Sequence, residues 1–274
     1  MPLNNRRVLA LMPHPDDCEI LCGGTLLRLA DQGFEIHVAT MTAGDMGSPT
    51  LPRAQIAALR LKEAEAGAHA LGAGGYTCLG FDDVEIVFDS PSRHRVAAVV
   101  RQVDPGLVFT TAPGDYMFDH IITSQLVRDA VFNASLPNYA TPGGEKPGSG
   151  VPYLYYADPI EGKDLFGNRA PVSCVVDISG VIDRKADALA QHASQREWLR
   201  AQHGMDDYIE HMKSWAARRG ELIGVAYAEG FCQHRGHPHP VDDVLVELLG
   251  ATPFETAPSG RARIGQWGAS RRRG

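Results

Sequence analysis

The feature that most constrains the fold is the stretch Val8-Leu9-Ala10-Leu11-Met12-Pro13-His14-Pro15-Asp16-Asp17-Cys18-Glu19. It opens with an apolar run of strand length and closes on two prolines that bracket a histidine. Proline cannot donate to a sheet ladder and pushes the residue before it away from the α region, so the strand is expected to end at about Met12. His14, Asp16 and Asp17 then stand on a stiff loop. Beyond them, apolar residues recur at helical spacing from Ile20 to Ala30, with Gly33 as a stop. Strand, short loop and helix make the opening unit of a doubly wound α/β fold, where functional groups gather at the carboxyl ends of the strands.

That loop carries chemistry of its own. A neutral imidazole and one carboxylate are good zinc ligands, and the second of two adjacent carboxylates points elsewhere. If Asp17 joins His14 on a metal, Asp16 is left to take a proton from a water whose pKa the metal has lowered to roughly 7. The competing reading is that both acids cap the helix that follows, a common use of an acid before an apolar-periodic segment. The loop alone does not choose between them.

Four stretches, in order, resemble the LmbE-like, or PIG-L, family of zinc-dependent N-deacetylases. Pro13-His14-Pro15-Asp16-Asp17 is similar to its Ala-His-Pro-Asp-Asp signature, with proline in place of alanine. Arg60-Leu61-Lys62-Glu63, followed by Ala64, Ala66 and Leu71-Gly72, resembles its Arg-x-x-Glu helix. Leu79-Gly80-Phe81-Asp82-Asp83 resembles its Leu-Gly-x-x-Asp turn, and Asp119-His120 the end of its His-Pro-Asp-His motif. The resemblance implies an α/β fold with a Rossmann-like, mainly parallel sheet flanked by helices. It also implies zinc held by His14, Asp17 and His120, with Asp16 as the base. Arg60 and Asp83 would reach the hydroxyls of the substrate, whereas on the residues alone Arg60 and Glu63 are a surface pair one helical turn apart. Three ligands from two loops leave a fourth position open, as in catalytic zinc sites. The chain departs from the family at Met117, where members commonly carry a histidine that stabilises the oxyanion and handles protons on the leaving amine. A thioether does neither.

Composition bounds the rest. A chain of 274 residues can bury one large core, so residues 1–274 are expected to form a single domain. The net charge of −7 recommends neither nucleic acid nor an anionic membrane as partner, and Arg271 to Arg273 make only a short basic end. No apolar run is long enough to span a membrane and Met1 to Arg7 lacks a signal-peptide core, so the cytoplasm is the expected location. Cys18, Cys22, Cys78, Cys174 and Cys232 are odd in number and lack paired zinc spacing, which predicts reduced core thiols. No feature decides the oligomeric state, and a homo-oligomer is left open.

Along the chain, strands are expected at Glu35 to Thr42, Cys78 to Phe81, Leu107 to Thr111, Tyr153 to Tyr156 and Val172 to Asp177. Helices are expected at Arg53 to Leu71, Pro91 to about Val103, Ile121 to Phe132, Val181 to about His203 and Met205 to Arg219. The glycines of Thr42-Ala43-Gly44-Asp45-Met46-Gly47 fit neither a dinucleotide fingerprint nor a P-loop. Asp119 has two candidate uses, capping the helix at Ile121 or orienting a histidine. Residues 135–152 read as a long loop, either a surface excursion or a lid. Residues 251–274 read as a weakly ordered tail. His192, His203 and His211 fall inside helices and are read as non-catalytic.

Phe231-Cys232-Gln233-His234-Arg235-Gly236-His237-Pro238-His239-Pro240 is dense in histidine and invites a functional reading, with Asp242 and Asp243 as possible partners. It could be a second metal site, a source of protons for the first, or a polar surface loop. Met117 leaves two readings of the proton on the amine: Asp16 passes it on unaided, or this loop folds over the site and places His237, or His234, where relatives have their histidine, with Tyr116 assisting at the oxyanion. The activity expected is zinc-dependent removal of an N-acyl group, N-acetyl above all, from a small-molecule amino sugar or amino-sugar conjugate. The alternatives are a thiol-sugar conjugate amidase, and an inactive metal- and sugar-binding protein that kept the fold and lost the histidine.

Overall fold

β1 (Arg7–Met12) ends where the prolines require, and its side chains divide between two cores. Val8, Ala10 and Met12 enter one, Leu9 and Leu11 the other, as the period of two dictates for a strand covered on both faces. The computed structural model describes residues 3, 5–196 and 208–254. β1 pairs in parallel with β2 (Glu35–Thr42) on one side and β4 (Leu107–Thr110) on the other. β3 (Ala73–Phe81) lies outside β2, and β5 (Tyr153–Ala157) lies beyond β4, both parallel. β6 (Cys174–Asp177), β7 (Ala228–Gln233) and β8 (Thr252–Pro253) extend the sheet through antiparallel pairings, in the order β3-β2-β1-β4-β5-β7-β6-β8.

The chain thus runs outward from β1 to β3, then returns to the other side of β1 as β4. Between β1 and β4 the loops leave the sheet in opposite directions, and a crevice opens at the carboxyl ends of these two strands. α2 (Gly23–Asp31), α3 (Arg53–Ala70), α6 (Ile182–Leu189) and α7 (Tyr208–Gly220) cover one face of the sheet. α4 (Ser90–Val103) and α5 (Phe118–Asn133) cover the other. α8 (Val244–Leu249) joins the first layer. Among the described residues no helix is long and apolar enough to cross a membrane.

Several elements differ from the expectation. The helix expected at Ile20 to Ala30 is two, α1 (Asp17–Leu21) and α2, broken at Cys22 with φ −142°. The cause lies far along the chain. Glu229 on β7 accepts from the backbone N–H of Gly24 and of Thr25, each at 2.8 Å, from Thr25 Oγ1 at 2.6 Å and from Lys185 Nζ at 2.6 Å. A carboxylate at the new N-terminus satisfies orphan donors that a continuous helix would have paired internally. Gly24 admits this packing, since a Cβ there would lie 2.8 Å from Ile178. β3 begins at Ala73, five residues before the expected Cys78. Gly74 and Gly75 hid it, and Gly75 is where the His37 ring lies, 2.7 Å from the place of a Cβ.

The long loop is not a lid. Arg101 donates to the carbonyls of Ala134 (2.9 Å), Leu136 (2.7 Å) and Glu145 (3.0 Å), and Ser149 N donates to Asp104 Oδ1 (2.7 Å). Asp104 lies three residues before the start of β4, so these bonds fasten the loop at the amino ends of the strands, away from the crevice. The tail expected from residue 251 begins as sheet, with β8 paired to β6; His203 and residues 255–274 lie outside the described residues.

Removing Glu229 leaves a buried Lys185 ammonium and the start of α2 without their partner, a loss of about 3–5 kcal/mol. Glu229→Ala should lower the urea midpoint by a matching amount; a change below about 1 kcal/mol would refute the role given to this carboxylate.

Candidate metal centre

The site is assembled from the loops after β1, β2, β3 and β4. In the first, the His14 backbone N–H donates to Asp17 Oδ2 at 2.9 Å, and His14 Nδ1 faces the same oxygen at 3.1 Å. His120, in the first turn of α5, brings Nε2 to 3.6 Å from Asp17 Oδ1. Ligand atoms of His14, Asp17 and His120 all lie within 4.8 Å of one another, and all three residues are buried. The outward nitrogens have partners of their own. His14 Nε2 lies 3.2 Å from Asp119 Oδ2 and 3.1 Å from Asp83 Oδ1, while His120 Nδ1 lies 3.1 Å from Asp115 Oδ2. A carboxylate behind each imidazole fixes its ring and tautomer and raises its basicity toward a metal on the other side.

Asp119 therefore orients a histidine and caps nothing. Its Oδ2 accepts from Val84 N at 2.8 Å, and the helix begins after Met117 without a side-chain cap. His14, Asp83 and Asp119 form a second group of close ligand atoms. In that group Asp119 is already engaged by the Val84 N–H and Asp83 Oδ2 by the Met46 N–H (3.3 Å), as expected of groups that hold a ligand in place. Two imidazoles with one carboxylate is the set that suits a borderline divalent metal.

The electrostatics fit a cation. Four aspartates, Asp17, Asp83, Asp115 and Asp119, contact two imidazoles inside the protein. Burial alone would lower the proton affinity of His14, but Asp119, Asp17 and Asp83 outweigh it and raise it well above the ordinary value. His120 is raised in the same way by Asp17 and Asp115. Burial pushes the Asp17 carboxyl up, yet His120 and His14 bring it down to about 2. The imidazoles attract protons because the site has an excess of negative charge, which a divalent cation would neutralise in their place.

Asp16 stands apart from both imidazoles. Its backbone is left-handed (φ 95°), a conformation that costs a non-glycine residue about 1–3 kcal/mol and that collects at functional sites. Its Oδ2 accepts from Tyr208 Oη at 2.8 Å and lies 3.4 Å from Arg60 Nη2. Burial raises its carboxyl above the ordinary range, with Arg60 opposing. Arg60 also donates to the carbonyls of Pro15 (2.8 Å) and Gly44 (3.1 Å), so it ties the first loop to the second. Gly44 has to be glycine for this, because a Cβ there would lie 2.0 Å from the guanidinium.

These groups line a cleft of about 490 Å³, a volume usual for small-molecule sites. Arg60, Gln195, Tyr208, Tyr116, Met117 and Trp215 are among the residues that line it. The Tyr116 ring sits 5.7 Å from that of His120. His234 and His237 are elsewhere. His234 N donates to the carbonyl of Leu154 (2.9 Å), its Nδ1 meets Tyr156 Oη (3.1 Å), and its ring packs on His239, which reaches Pro152 O (3.2 Å). β7 runs antiparallel to β5, so the loop that follows it emerges at the amino edge of the sheet. The place of the family histidine is not filled from this loop, and the nearby acids pair with tyrosines, Asp242 with Tyr153 and Asp243 with Tyr155.

Asp115 and Tyr208 went unassigned in the sequence. Asp115 sits five residues before His120 on the same loop, a spacing that could have marked it as a partner. Tyr208 reaches Asp16 across 192 residues, and nothing local announces that.

Residues 9–131 match the model of the PIG-L family, described as GlcNAc-PI de-N-acetylase. Over 237 residues the chain is 29% identical to the diacetylchitobiose deacetylase of Thermococcus kodakarensis, covering 84% of each chain. It is 30% identical over 204 residues to a Bacillus cereus protein named "Probable N-acetyl-alpha-D-glucosaminyl L-malate deacetylase 2", covering 70% of this chain and 84% of that one. In structure it resembles the N,N'-diacetylchitobiose deacetylase from Pyrococcus horikoshii complexed with its inhibitor MPG, with a TM-score of 0.73 and 28% identity over 88% of this chain and 89% of that one. The chain belongs to the PIG-L, or LmbE-like, family.

Asp115→Asn keeps the shape behind His120 but removes its charge, and should weaken metal binding by about 10- to 100-fold. Chelator competition measures this directly; unchanged affinity would remove Asp115 from the site.

Proposed function

We propose that this protein is a metal-dependent hydrolase that releases an N-acyl group, N-acetyl first, from an amino sugar or a small amino-sugar conjugate. The observation that carries the proposal is the convergence of His14, Asp17 and His120 in the lining of the cleft, with Asp16 beside them and engaged by neither imidazole. Zinc suits the donor set and would polarise the amide carbonyl and lower the pKa of the attacking water. Asp16 accepts the proton of that water, and its raised proton affinity suits a group that must also give the proton up. Tyr116, exposed beside His120, offers a hydroxyl to the developing oxyanion. Sugar hydroxyls would meet Arg60, Asp83 and Gln195 along the cleft.

Met117 favours a second reading, a metal- and sugar-binding protein without turnover, because among the described residues no imidazole besides His14 and His120 lines the cleft. Amine release from a panel of N-acylated glucosamine derivatives separates the two. Turnover with one zinc per chain is the expected result; zinc without turnover on any member selects the binding protein. Asp16→Asn should retain its metal and lose about 10²- to 10⁴-fold in kcat, whereas Asp17→Ala should lose the metal itself.

A further inference from the structure

Asp16 has two oxygens in different surroundings. Oδ2 is held by the Tyr208 hydroxyl at 2.8 Å and by Arg60 at 3.4 Å, while Oδ1 takes no hydrogen bond among the described residues and the side chain lines the cleft. Tyr208 is itself fixed. It is buried on α7, whose Met212 and Ala216 enter the same core as β1, and it lies outside the 9–131 segment matched to the family. Burial and the adjoining carboxylate keep its phenol well above the ordinary value, so it remains a donor throughout the physiological range.

We propose that Tyr208 is a positioning residue for the reaction, pinning Asp16 Oδ2 so that Oδ1 alone takes the proton from water and delivers it to the departing amine. This rests on the hydrolase reading above. The balance is simple: the water oxygen bonds to the acyl carbon as its proton passes to Oδ1, then the C–N bond breaks as that proton passes to nitrogen, and Asp16 returns to its ionised form. With methionine at position 117, and among the described residues no imidazole lining the cleft besides His14 and His120, one carboxylate acts on both atoms in turn. An unheld carboxylate could rotate and present either oxygen, and a misplacement of about 1 Å costs roughly 100-fold in rate. Arg60 cannot hold Oδ2 alone, because the same Nη2 donates to Pro15 O at the shorter distance of 2.8 Å.

The test is Tyr208→Phe in the full-length, metal-loaded protein, compared with the parent and Asp16→Asn for metal content, melting temperature, kcat and KM. The expected result is a 10- to 100-fold fall in kcat per bound metal, with KM within about twofold and metal content unchanged. A purely structural tyrosine would lower melting temperature or metal occupancy and leave kcat per bound metal at the parent value, which overturns the proposal. If Tyr208→Phe matches the parent while Asp16→Asn is inactive, the proposal falls and the hydrolase reading stands. If Asp16→Asn also matches the parent, the base assignment fails and the proposal with it.

Discussion

The interaction on which the rest depends is the attraction between two buried imidazoles and the carboxylates around them. Four aspartates are brought against His14 and His120 where the strand order reverses between β1 and β4. Burying this much negative charge is costly unless a cation shares it. The outer carboxylates fix the rings from behind, and the inner one, Asp17, meets both rings in front. The order Asp83/Asp119, His14, Asp17, His120, Asp115 is a chain of alternating acid and imidazole in which each contact sets the orientation of the next.

Two covalent constraints make that chain possible. The prolines flanking His14 end β1 abruptly, and the left-handed backbone at Asp16 turns the next two residues so that neighbouring acids face different ways. Arg60 then clamps the loop by its carbonyls, with Gly44 giving room for the guanidinium. The loop is held by bonds from α3 and α7 as well as by its own sequence, so Asp16 and Asp17 keep separate partners although they are adjacent.

Features set by local chemistry were legible in the sequence. The ends of β1 and β2, the span of α3 and the proline near the start of α4 follow from periodicity and from proline and glycine at the boundaries. That His14, Asp17 and His120 would come together was legible as motif chemistry supported by family resemblance. What the sequence hid was long-range: the break at Cys22 imposed by Glu229, the fastening of residues 135–152 by Arg101, and Tyr208 behind Asp16. The histidine-rich loop misled for the same reason. Its composition suggested a site, but the direction of β7 decides which edge of the sheet it occupies, and strand direction is a property of the whole sheet.

The central claim concerns which atoms hold the metal. A zinc-edge anomalous map from crystals of the zinc-loaded protein tests it most directly. It should show one peak bonded to His14 Nδ1, an Asp17 oxygen and His120 Nε2, each at roughly 2.0–2.3 Å. A peak on the other side of the His14 ring, between Nε2, Asp83 and Asp119, or no peak from protein loaded with zinc, would contradict it.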